Sequence, residues 1–157
     1  LSADNKDYCG KVISLYKRPF MPQPSVLIID DSEIERYMLS HQLHKIGVSK
    51  IVQKADGRSG LAFLNNFLHN QQQYGESFPP AIIILDVNMP IMDGFEFLQQ
   101  FAELKTQVNL DICQILMYSG SDDPKQKIQA LKYDFVKGFL IKGESSPEEL
   151  KIEIGAF

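Results

Sequence analysis

Short apolar runs alternate with amphipathic segments along this chain, and the runs end in charged or hydroxyl residues. Val26-Leu27-Ile28-Ile29 leads straight into Asp30-Asp31. Ala81 to Leu85 leads into Asp86. Runs this short, with no polar side, suit strands buried on both faces. The segment after the first run, from about 33 to 46, carries Leu39, Leu43 and Ile46 at helical spacing and stops at Gly47. The rhythm then repeats. A strand is predicted over 50–54 and a helix over 58–70, with Leu61, Leu64 and Leu68 in register. After the strand at 81–85, a helix over 94–105 carries Phe97, Phe101 and Leu104. A strand over 112–117 follows, then a helix over 124–133 with Pro124 early, where a missing N–H is harmless. The last strand covers 138–141, and Ser146-Pro147-Glu148-Glu149 is a capping box opening a final helix.

Five alternations of strand and helix define an α/β fold. The expected form is a doubly wound, five-stranded parallel sheet with right-handed crossovers and helices on both faces. With 157 residues, 44% of them apolar, the chain suits one such domain, placed over residues 25–157. Residues 1–24 have no clean period and contain Pro19, Pro22 and Pro24, so they form a leader, irregular or partly ordered. The chain opens on Leu1 and reads as a fragment or processed product, with Met21 a conceivable natural start. A net charge of -4 argues against direct nucleic-acid binding. No apolar stretch approaches the roughly 18 residues of a membrane span, and the leader lacks a signal-peptide core. Cys9 lies in the leader and Cys113 in an apolar run, which is no disulfide framework. The expected setting is cytoplasmic, with no membrane contact.

In a sheet of this kind ligands bind outside the carboxyl ends of the strands. The residues there are Asp30-Asp31, Asp86, Ser119-Gly120 and Lys142. Three carboxylates gathered at one rim repel each other, and a divalent cation resolves the conflict. All-oxygen donors favour a hard ion such as Mg2+. Asp31 and Asp86 are the leading ligands, with Asp30 bound directly or through water and the Asn88 carbonyl as a further oxygen. A carboxylate can also attack phosphorus. Around a phosphoryl group on Asp86, Lys142 would neutralise charge, Ser119 would hydrogen-bond, and Gly120 would leave room and offer an N–H.

The segments Val26 to Ser32, Ile82 to Pro90 with Met92-Asp93-Gly94, Ile115 to Gly120 and Gly138 to Lys142 resemble, in order, the motifs of the receiver domain of two-component response regulators. The resemblance covers about residues 25–154. It implies the flavodoxin-like strand order 2-1-3-4-5, phosphorylation of Asp86, magnesium held by Asp30, Asp31 and Asp86, and phosphoryl contacts from Ser119 and Lys142. It makes Phe139 the switch aromatic, and it places an output surface for a downstream protein target over roughly 125–154. The implied donor is a sensor histidine kinase or a phosphotransfer protein. Such a module is no enzyme beyond accepting its own phosphoryl group and slowly losing it. Dimerisation through the output face stays open, as does whether a separate output domain once followed Phe157.

Two departures stand out. Gly143 replaces the proline that usually follows the lysine in a cis bond, so a trans bond or an unusual turn is expected there, a non-proline cis bond costing about 2.5–4 kcal/mol. Residues from about Asn70 to Pro80 lengthen one connection and are read as a surface insertion remote from the rim. Each residue has a plainer reading too. Asp30-Asp31 suits a helix N-terminus, Ser119 a turn, Phe139 the core, and His41, His44 and His69 surface or packing. Two rival functions remain: a phosphorylation-independent binding module, hinted at by Gly143, and an aspartate-nucleophile phosphohydrolase. The second is disfavoured because its paired aspartates are spaced by one residue, whereas Asp30 and Asp31 are adjacent.

Overall fold

The computed structural model describes residues 24–155. The leader, with Cys9 and Met21, lies outside the described residues apart from Pro24. Five parallel strands, β1 (Val26–Ile29), β2 (Ile51–Lys54), β3 (Ile82–Asp86), β4 (Gln114–Ser119) and β5 (Val136–Ile141), form one sheet in the order β2-β1-β3-β4-β5. The helices are α1 (Glu33–Lys45), α2 (Gly57–Asn65), α3 (Phe67–Tyr74), α4 (Gly94–Leu104), α5 (Pro124–Ala130) and α6 (Pro147–Glu153).

Alternating strand side chains build two cores. Leu27, Ile29, Ile83, Leu85, Ile115 and Met117 pack with Leu64 of α2, Phe97 and Phe101 of α4 and Ala130 of α5. Val26, Ile28, Ile82, Ile84, Leu116 and Leu140 pack on the other side with Leu39 and Leu43 of α1 and Leu150 of α6. Burying each such side chain contributes about 1.5–3 kcal/mol. Both faces of the central strands are therefore dry, which is why their sequences are unbroken apolar runs. Cys113 is buried, as expected of a small hydrophobe, and burial pushes its thiol up to about 12.

Helix starts follow their capping residues. Ser32, Asp56, Asp93, Asp123 and Ser146 each accept a backbone N–H, and Asp93–Glu96 and Ser146–Glu149 form complete capping boxes. Several boundaries differ from the sequence reading. The helix expected over 58–70 breaks at Asn66 into α2 and α3, and Leu68 is 75% exposed rather than in register. The connection from Asn70 to Pro80 is not all loop. It contains the end of α3 and a 3-10 turn over Gly75–Ser77, and it buries Phe78 against the rings of Phe63 and Phe67. It sits near the amino ends of the strands, where Ala81 N donates to Ser25 Oγ, so it is remote from the carboxyl rim as expected. β4 starts two residues late because Cys113 N closes a turn onto Leu110 O. β5 starts two residues early, with a register shift between Ile115 and Leu116 that takes up Lys137. α5 ends at Ala130, short of the expected 133.

The only cis peptide among the described residues is Phe78–Pro79, so the bond after Lys142 is trans. The chain turns there with Gly143 at φ 78°, a region open to glycine. Another close fit lies beside β3. Gly94 N donates to Val87 O at 2.8 Å, and a Cβ on Gly94 would stand 2.7 Å from Asp86 O. It would also stand 3.0 Å from Val87 Cα, and both atoms are backbone and cannot yield. Gly94→Ala should therefore lose about 2 kcal/mol of stability, read from its urea unfolding midpoint.

Candidate functional site

The parallel sheet brings Asp30, Asp86, Ser119 and Lys142 to one rim because each stands at the carboxyl end of its strand. Asp30 and Asp86 are 1% and 2% exposed, and Ser119 is fully buried. Asp31 stays exposed at the mouth. Carboxylate oxygens of Asp30, Asp31 and Asp86 all lie within 4.8 Å of one another. Lys142 Nζ bridges two of them, 2.8 Å from Asp30 Oδ2 and 3.1 Å from Asp86 Oδ1.

Each buried group is held. Asp30 Oδ1 accepts from Ser32 N at 2.8 Å, and the Asp30 carbonyl accepts from Arg36 Nη1 at 2.8 Å. Asp86 Oδ1 accepts from Asn88 N at 3.2 Å. Ser119 Oγ accepts from Ser121 N at 3.2 Å and reaches Gln126 Oε1 on α5 at 3.5 Å. Lys142 N donates to Ser119 O at 2.7 Å, which fixes the lysine beside the serine.

The electrostatics are unbalanced. Burial pushes the Asp86 carboxyl up to about 7, with the Asp30 charge adding to the rise and Lys142 opposing it. Burial pulls the Lys142 ammonium down, but its bond to Asp30 and the charges of Asp86 and Asp30 outweigh that and raise it. One ammonium faces three carboxylates. The excess negative charge and the all-oxygen donors fit a hard divalent cation.

Asn88 and Gly120 are exposed beside the acid cluster. Among the described residues a Cβ on Gly120 would meet nothing within 4 Å, so their packing does not demand glycine there. Phe139 is half-buried on β5, packed against the α4–α5 core, with Lys127 Nζ 6.0 Å from its ring centre. His41, His44 and His69 are exposed and none joins the acid cluster. Ile91, in the loop after β3, is exposed at φ 73°, an uncommon conformation for a β-branched residue.

Sequence reasoning missed three residues here. Arg36 is the first, tying α1 to the Asp30 backbone. Tyr118 and Glu35 are the others: Tyr118 Oη donates to Glu35 Oε2 at 3.1 Å, and Lys142 Nζ lies 5.1 Å from the Tyr118 ring centre. Glu35 and Tyr118 are 83 residues apart, so no local pattern pairs them.

A doubly wound sheet in the flavodoxin-like order, with an acid cluster and a lysine at its carboxyl rim, defines the class. The family description "response regulator receiver domain" matches residues 26–154, and the chain belongs to that family. Among curated relatives, histidine kinase CKI1 of Arabidopsis thaliana is 28% identical over 116 residues, 71% of this chain and 10% of that protein. A probable chemotaxis protein CheY of Rhizobium etli is 35% identical over 47% of this chain and 49% of its own length. The chain thus spans between a tenth and half of these relatives. Among solved structures, the CKI1 receiver domain complexed with Mg2+ and BeF3- superposes at a TM-score of 0.69, with 25% identity over 85% of this chain and 91% of that one. Vibrio cholerae chemotaxis protein CheY4 gives 0.63, with 31% identity over 86% and 99%. Receiver domains are signalling modules of two-component systems, and the chain is one of them. Among the described residues no helix is long and apolar enough to cross a membrane.

Proposed function

We propose that this receiver accepts a phosphoryl group on Asp86 from a phosphohistidine donor, a sensor kinase or phosphotransfer protein, and that the modified rim reshapes a protein-binding surface. The observation that carries the reading is the convergence of buried Asp86 with Asp30, Asp31 and Lys142 at one strand edge. A carboxylate oxygen of Asp86 attacks phosphorus in line with the departing imidazole. The new O–P bond forms as the P–N bond breaks. The electron pair of that bond stays on the ring nitrogen, which takes a proton from solvent.

Asp30, Asp31, Asp86 and the Asn88 carbonyl would hold Mg2+, which when bound supplies charge neutralisation for the phosphoryl oxygens. The CKI1 receiver complexed with Mg2+ and BeF3- supports this assignment. Lys142 keeps its charge throughout and shifts its contact from Asp86 to a phosphoryl oxygen. Ser119 gives up its contact near Gln126 and donates its hydroxyl to another oxygen. Gly120 leaves that approach open.

The switch follows from these exchanges. Charge-assisted hydrogen bonds contribute about 1.5–3 kcal/mol each. Moving a population from 1:99 to 99:1 takes about 5.5 kcal/mol of differential binding, within reach of two or three such bonds. Ser119 leaving Gln126 loosens the start of α5 and opens space for Phe139 to turn inward. The output surface on this reading is the α5–β5–α6 side.

Ser119→Ala should still accept phosphate on Asp86, yet its partner affinity should change at least about threefold less on phosphorylation than the parent's. Binding to the downstream partner, with and without phosphoryl donor, measures this. A full response in the variant would sink the coupling. Partner binding that ignores Asp86 phosphorylation in the parent would instead favour a phosphorylation-independent binding module.

A further inference from the structure

Lys142 reaches the rim on a flexible four-carbon stem, and its side chain remains 19% exposed. Its two carboxylate partners, Asp30 and Asp86, are also the groups that a cation and a phosphoryl group would claim. A lysine whose anionic partners are taken up needs some other contact to keep it aimed inward. Among the described residues the remaining contact is Tyr118. Its ring lies 5.1 Å from Nζ, within the range at which an ammonium is attracted to an aromatic face.

The ring is itself held in place. Tyr118 pairs in register with Asp86 on one side and Leu140 on the other, so its backbone is fixed relative to the acceptor. Its side chain packs among Leu39, Leu116 and Leu140. On one side it borders a small cavity of about 70 Å³ shared with Met38, Gly143 and Ser145, into which an untethered ring could tilt. The hydroxyl prevents this by donating to Glu35 Oε2 at 3.1 Å. Glu35 is placed in turn by the first turn of α1, where its N–H donates to the Ser32 cap two residues after Asp30. Burial and the Glu35 charge push the phenol far up, so it stays a neutral donor.

We propose that Tyr118 is the positioning residue for Lys142: its ring, tethered by Glu35, seats the ammonium while the lysine exchanges Asp86 for a phosphoryl oxygen. Tyr118 does not touch the phosphoryl group. It acts by restricting the arc through which Nζ can swing. This rests on the phosphoryl-acceptor reading for its effect on rate, but the seating of the lysine does not require that reading to hold.

The test compares the parent with Tyr118→Phe and Tyr118→Leu, the former keeping the ring and the latter filling the site without one. Two quantities are read in the presence of magnesium. One is the rate of phosphorylation by phosphoramidate. The other is the mobility of the Lys142 ε-methylene by ¹³C relaxation, with no phosphoryl donor present. Tyr118→Leu should be slower on the order of fivefold, the rate equivalent of a lost cation–π contact, and its Lys142 end should become mobile. Tyr118→Phe keeps the ring but releases it from Glu35, so it should fall between the two, slower by about twofold with the lysine partly mobile. Circular dichroism confirms that both variants fold, and Tyr118→Met replaces the leucine variant if that one does not. An ordered Lys142 in the ringless variant, or a phenylalanine variant that does not fall between the parent and the leucine variant, would overturn the proposal. A parent that takes no phosphate but loses lysine order on Tyr118→Leu would keep the seating and refute only the acceptor reading.

Discussion

Lys142→Met is expected to slow phosphorylation of Asp86 at least about a hundredfold, the scale seen when one preorganised charge-stabilising donor is removed. Methionine keeps most of the stem and removes the charge. In the parent, Nζ sits 2.8 Å from Asp30 and 3.1 Å from Asp86, so the variant leaves two buried carboxylates facing each other without a counter-ion. Breaking such a pair typically costs about 3–5 kcal/mol. The cost should be near the bottom of that range, because burial already pushes the Asp86 carboxyl up to about 7 and it can take a proton in relief. It should shrink below pH 7 for the same reason, and shrink again on adding magnesium. Phosphoramidate kinetics and urea unfolding at two pH values test both parts. A variant with unchanged rate would remove Lys142 from the site chemistry.

Asp86→Asn is expected to stabilise the magnesium-free protein at pH 8, against the usual direction for a buried substitution. The sign follows from the shift. Burial raises the Asp86 carboxyl from 3.8 to about 7 in the folded chain. The folded state therefore binds this proton more tightly than the unfolded state. The stability linked to Asp86 is fully present below about pH 4 and is lost as pH rises through about 7. Asparagine carries no charge to desolvate and escapes the loss. The gain at pH 8 should be on the order of 2 kcal/mol after allowing for solvent screening and the weakened hold on Lys142. Magnesium should reverse the ranking, since the parent then gains a bound cation and the variant loses a ligand. Urea midpoints at pH 5 and 8, with chelator and with magnesium, decide it. A parent more stable than the variant at pH 8 without metal would mean that Lys142 already compensates the buried charge.

The rim was legible in the sequence because the alternation fixes where strands end. Asp30, Asp86, Ser119 and Lys142 need only be last in their strands, or next after them, to meet. An error of one or two residues in a strand's start leaves its carboxyl end where it is. β5 was misplaced only at its beginning, whereas β4, expected over 112–117 and found over Gln114–Ser119, moved at both ends and closes on Ser119 itself. The helix break at Asn66 was not legible. No glycine or proline marks it, and Leu68 continues the apolar spacing while pointing outward. Phe78 packing on Phe63 and Phe67 decides that region, and such tertiary contacts leave no local pattern. The Tyr118–Glu35 tether was hidden for the same reason, since the phenol meets its partner only once α1 has docked on the sheet.

Every functional effect above depends on Asp86 taking a phosphoryl group. The most direct measurement is phosphate-affinity gel electrophoresis of the parent and Asp86→Asn after incubation with magnesium and phosphoramidate. A retarded, acid-stable and base-labile band in the parent, absent from Asp86→Asn and lost when magnesium is chelated, is the predicted result. No retarded band from the folded parent, or one that persists in Asp86→Asn, would contradict it.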